Sequence, residues 1–179
     1  DPENKWLVDT AGVGLYRGSN NSCTNCFTYY DQQLSTFTMT TRLRVVDASD
    51  GEGFVIYMST ENTPSASDLA EYYSIRVSQN TTDIVMMIQK ERNGGVFSQY
   101  SAAWDTPNAS IDDWHEYKLE FNRGDMILYV DNIQRLTYTF SDRKMLDGDV
   151  GFAPINIAGD PGTEYVEMDW LTFFVDGSP

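Results

Sequence analysis

The chain has 179 residues, with 27 Asp and Glu against 12 Lys and Arg and a formal net charge of −15. That field repels duplex nucleic acid and anionic membranes, and no basic stripe offsets it, so neither is expected as a partner. Apolar residues at 41% and aromatics at 13% suit a single packed β domain over 1–179, and no apolar run reaches the ~18 residues that cross a bilayer.

Both cysteines lie in Cys23-Thr24-Asn25-Cys26. A zinc centre wants four ligands, while the chain adds only one His and no further Cys. A redox pair wants a strand before it and a helix after it, whereas here a Ser/Asn loop leads into Phe27-Thr28-Tyr29-Tyr30. A Cys23–Cys26 disulfide pinning a surface loop is therefore favoured, which implies an oxidising compartment. Sequons at Asn20, Asn80 and Asn108 fit a secreted or cell-surface protein.

Alternation at period two runs through nearly all the rest. Thr36 to Val45 sets Phe37, Met39, Leu43 and Val45 on one face, with Thr and Arg on the other. Further strands are predicted at 54–58, 71–78, 84–89, 96–100, 115–122, 126–130 and 137–140. Asp50-Gly51, Asn93-Gly94-Gly95, Arg123-Gly124, Asp131-Asn132 and Asp147-Gly148 supply the turns between them. Helical spacing is sustained nowhere, so the fold class is all-β, a sandwich or barrel of about a dozen strands.

Several side chains stand out within this pattern. In Glu71 to Ser78, Tyr73, Ile75 and Val77 can enter the core, leaving Tyr72, Ser74, Arg76 and Ser78 opposite. An Arg flanked by hydroxyls on a sheet face suits a ligand rich in oxygen. The neighbouring strand Val96 to Ser101 adds Gln99 or Tyr100 according to its register, and Trp104 in the following polar loop is a stacking candidate. His115, the only histidine, shares the phase of Tyr117 and Leu119, as a partly buried structural His would. Arg123-Gly124-Asp125 spells an integrin-type tripeptide, but in a hairpin turn where Gly is expected anyway.

Trp114-x-x-Tyr117-x-Leu119-x-Phe121, a Gly turn, Ile127-x-Tyr129-Val130-Asp131-Asn132, Gly151-Phe152 and a last acidic-aromatic strand together resemble the concanavalin A-like (laminin G-like) jelly roll. The likeness covers over half the chain, mostly its second half. It implies two antiparallel sheets with sugars taken on the concave one. The superfamily holds laminarinase-type glycosidases, polysaccharide lyases, lectins, carbohydrate-binding modules and adhesion domains, so it does not choose an activity.

The catalytic strand of the laminarinase type reads Glu-x-Asp-x-x-Glu, while here Glu167-Met168-Asp169-Trp170-Leu171-Thr172 ends in a residue that cannot protonate a glycosidic oxygen. The active strand of those enzymes also lies mid-chain, and this one is last. The resemblance further implies a structural calcium joining an N-terminal residue near Glu3, a loop carbonyl near Gly51 and Asp169. The alternative for Asp169 is a plain ion pair with an Arg such as Arg44. The expectation is a non-catalytic module binding a neutral polysaccharide or oligosaccharide through Tyr72, Arg76, Gln99, Tyr100 and Trp104, with no catalytic residue. A glycosidase or lyase, or a self-assembling adhesion domain, would be the alternatives.

Overall fold

The computed structural model describes residues 6–9, 15–18, 28–30, 36–59, 71–80, 83–92, 95–103, 109–139, 150–155 and 165–175. They form strands β1 (Trp6–Asp9), β2 (Leu15–Gly18), β3 (Thr28–Tyr30), β4 (Thr36–Val46), β5 (Gly53–Ser59), β6 (Glu71–Gln79) and β7 (Ile84–Arg92). The chain continues through β8 (Gly95–Ala103), β9 (His115–Asn122), β10 (Asp125–Val130), β11 (Ile133–Thr139), β12 (Val150–Ile155) and β13 (Tyr165–Phe174), with no helix among the described residues. A seven-stranded sheet in the order β1-β2-β13-β4-β9-β10-β11 faces a six-stranded sheet in the order β3-β12-β5-β6-β7-β8, and every pairing is antiparallel. The all-β jelly-roll sandwich of two antiparallel sheets is thus present.

Alternation explains the layering. Phe37, Met39, Leu43 and Val45 of β4 are at most 2% exposed, and they meet Phe54, Ile56, Tyr73, Ile75, Val77, Met86 and Ile88 of the other sheet. Tyr117, Leu119, Phe121, Met126, Leu128 and Val130 extend the same layer, with the Phe54 and Tyr117 rings edge-on at 4.9 Å. Thr41 departs from the expected split, since it faces inward and is fully buried. Its hydroxyl is satisfied by donating to the Trp170 carbonyl at 2.8 Å.

Tight turns fix the register. Arg123 and Gly124 (φ 47° and 91°) join β9 to β10, while Asp131 and Asn132 (φ 52° and 63°) join β10 to β11, the left-handed pairs that two-residue hairpins need. β11 therefore starts at Ile133, four residues before the alternation predicted. As an edge strand it leaves Ile133 and Gln134 exposed, so no buried pattern marked its start. At the start of β5 a Cβ on Gly53 would lie 2.0 Å from the Val77 carbonyl oxygen, so the close approach to β6 requires glycine.

Candidate functional site

The face of the six-stranded sheet turned away from the core carries the polar residues of β5, β6 and β7. Tyr57, Ser74 and Gln89 stand opposite one another across three strands, and Gln99 continues the row on β8. The next row sets Val55, Arg76, Met87 and Ser101 side by side. Tyr73, Ile75 and Val77 do point into the core, all at most 1% exposed, as the alternation of β6 predicts.

This face is not open throughout. Ser74 is fully buried, Gln89 is 3% exposed and Ser78 8%, while Val55, Ala153 and Ile155 form a small apolar cluster with Tyr57 against it. Arg76 is half-buried, and its Nε is buried without any hydrogen-bond partner. The aliphatic stem of such an Arg packs along the sheet.

Register separates the other sequence candidates. Gln99 sits opposite Gln89 on the Arg76 face, whereas Tyr100 sits opposite Ile88, a core position. Tyr72 stands opposite Ser59 and Glu91, one row beyond Ser74 and on the same face. Trp104 lies outside the described residues, as do Cys23, Cys26 and Glu3. The role of Tyr57 was missed in the sequence, because Phe54 to Met58 reads as a continuous apolar run in which a Tyr looks like core.

Of the residues expected at a calcium, Asp169 and Gly51 are described, and each has another partner. Asp169 accepts a hydrogen bond from Arg42 Nη1 at 2.8 Å on the outer side of the seven-stranded sheet. Gly51 donates its amide to the Gln79 carbonyl at the end of β6, in the other sheet. The β4–β13 register puts Tyr165 beside Val46 at the end nearest Gly51, so Asp169 lies four residues, roughly 13 Å, further down the strand. Calcium gathers six to eight oxygens around one point, and Glu3, the third member of the expected set, lies outside the described residues. Among the described residues, no group of three or more His, Cys, Asp or Glu could hold a metal.

His115 belongs to a structural network. Its Nδ1 is 2.7 Å from Asp131 Oδ2 and its Nε2 is 3.0 Å from the Ser110 carbonyl, while Asp131 Oδ1 accepts the Glu116 amide at 3.0 Å. The ring thus ties the 110 loop and the β10–β11 turn to the start of β9. Tyr117 beside it is fully buried, and burial, with Asp131 adding to it, pushes its phenol pKa far up. Its hydroxyl has no partner.

No protein-family profile matches the sequence, and no curated protein matches it. Solved structures do match. The chain is similar to a carbohydrate-binding module, CBM66, from Bacillus subtilis, at 17% identity and a TM-score of 0.64, covering 94% of this chain and 89% of that one. It is similar to an alginate lyase of polysaccharide lyase family 7 at 12% identity and 0.64, over 96% and 83% of the two chains. A family 16 glycoside hydrolase from Bacteroides ovatus matches at 10% identity and 0.58, over 90% and 74%. Identities this low carry the fold and nothing finer.

Proposed function

We propose that the chain is a non-catalytic carbohydrate-binding module of a secreted or cell-surface protein, taking a glycan on the outer face of the six-stranded sheet. The observation that carries this reading is Arg76, half-buried in the middle strands of that face, in a setting of Ser74, Ser78 and Gln89. Sugar hydroxyls both donate and accept, so they are met by side chains that offer both in fixed geometry. Tyr57 gives the same face an aromatic surface for pyranose C–H groups. The shared fold of a carbohydrate-binding module and two classes of glycan-active enzyme supports a glycan as the ligand.

Placement favours binding over catalysis. Retaining hydrolysis needs two carboxyl groups about 5 Å apart across the scissile bond. The two carboxylates of the last strand are instead each paired with an arginine, Glu167 with Arg44 and Asp169 with Arg42. His115, the histidine a Tyr–His lyase would need, is on the seven-stranded sheet and bonded through both ring nitrogens.

A glycan array probed with the wild-type chain and with Arg76→Ala tests the reading. Binding by the wild type that the variant loses, at an unchanged melting temperature, is the expected result. Absence of binding to every glycan would overturn it.

A further inference from the structure

His115, the single histidine of the chain, has both ring nitrogens turned to oxygens that only accept hydrogen bonds. Asp131 Oδ2 lies 2.7 Å from Nδ1, and the Ser110 carbonyl oxygen lies 3.0 Å from Nε2. Both oxygens are held in place. The Glu116 amide fixes the Asp131 carboxylate through Oδ1, and the Ser110 carbonyl also accepts the Asp113 amide at 3.2 Å. The His115 side chain is 14% exposed, so water does not freely replace either partner.

A neutral imidazole carries one N–H and one bare lone pair, whereas the doubly protonated ring carries two donors. With one proton, the ring bonds one oxygen and turns a lone pair on the other. The shorter contact, to a charged acceptor, keeps that proton, so Asp131 stays bonded and Ser110 does not. With the second proton, both bonds form. Among the described residues, the other charged groups nearby lie to one side. Glu116 faces outward opposite Arg42, Arg44 lies with Trp114 on that outer side, Asp112 accepts the Ala48 amide, and Asp113 is exposed. Tyr117 meets the ring edge-on at 6.2 Å, and Leu43 stands opposite on β4.

We propose that His115 is a proton-operated latch that fixes the loop before β9 to the β10–β11 turn. Doubly protonated, it joins Ser110 to Asp131 across the end of the sheet; with one proton it releases Ser110. Ile111 and Asp112 stay anchored in both states, by the Val45 and Ala48 amides, so the change is confined to the Ser110 end of the loop. The closed latch holds one proton more than the open one, so acid closes it and rising pH opens it.

The ring nitrogens and loop amides of tag-free, 15N-labelled protein are followed together by NMR from about pH 5 to 8, where imidazoles exchange their second proton. As pH rises, Nε2 should lose its proton while Nδ1 keeps its own. Exchange protection of the Asp112 and Asp113 amides, which rest on Ser110, should fall about 10-fold, as loss of one hydrogen bond from a charged donor would give. In His115→Gln, whose side chain does not titrate, that fall should vanish. In Asp131→Asn, which removes the anionic partner, it should move to lower pH. Level protection across the range in wild type would overturn the latch, as would the same fall in His115→Gln. Should His115→Gln fail to fold, the wild-type profile and Asp131→Asn decide, and an undisplaced fall in that variant would overturn the latch.

Discussion

Arg44 and Glu167 face each other across the β4–β13 register, with Arg44 Nη2 2.7 Å and Nε 2.8 Å from the same carboxylate oxygen. The Glu167 side chain is 1% exposed, so the pair closes a charge that the sandwich has taken out of water. Trp114 covers it, its ring centroid 4.9 Å from the Arg44 guanidinium carbon and 5.0 Å from that of Arg42. Arg44→Ala would strip this guanidinium from a buried carboxylate, at a cost of about 2 kcal/mol. Denaturant unfolding should show the loss, while Arg44→Ala with Glu167→Gln should recover part of it.

Asp169 and Arg42 form a more exposed pair, with side chains 31% and 45% accessible. Asp169→Asn should cost no more than about 1 kcal/mol, as surface pairs do. Since Arg42 already occupies the Asp169 carboxylate, a chelator should shift the melting temperature of wild type and Asp169→Asn equally. A chelator effect seen in the wild type and lost in the variant would place a bound ion at Asp169.

Tyr117 gives a pH dependence of known sign. Its hydroxyl is neutral in the fold to high pH, while in the unfolded chain it ionises near the ordinary value of about 10. The unfolded state therefore binds fewer protons above that pH, and stability falls as pH rises, by about 1.4 kcal/mol per unit from this group. Below pH 10 the contribution is constant. Tyr117→Phe should remove this part of the alkaline slope, and at neutral pH it should leave stability unchanged or higher, because the hydroxyl is buried unbonded. Urea midpoints of the two proteins from pH 7 to 11 check both.

Gly53→Ala should destabilise strongly, since its Cβ has no room beside the Val77 carbonyl. A cost of about 2 kcal/mol or more is expected from forcing β5 away from β6. Far-UV circular dichroism with thermal melting would detect it, and an unchanged melt would contradict the close approach.

Much of this was legible in the sequence, and the gaps have physical causes. Phe37 to Val45 and Tyr73 to Val77 announce their buried face because each strand is half covered, so period two survives. The partner of Asp169 was not legible. A register shift between Met168 and Trp170 moves the last strand by one residue, giving Arg42 to Asp169 and Arg44 to Glu167. The choice between Gln99 and Tyr100 hinged on another irregularity, between Lys90 and Glu91 of β7, which sets the phase of β8. Arg76 was visible as an arginine among hydroxyls, but its missing partner is a fact of three-dimensional placement.

The central claim is that a glycan is taken on the outer face of the six-stranded sheet around Arg76. Backbone amide shifts followed by NMR while a binding glycan is titrated test it most directly. The largest changes are predicted at Tyr57, Ser74, Arg76, Met87, Gln89 and Gln99. Changes gathered instead at Thr38, Thr40, Thr172 and Phe174, on the outer side of the seven-stranded sheet, would contradict the account.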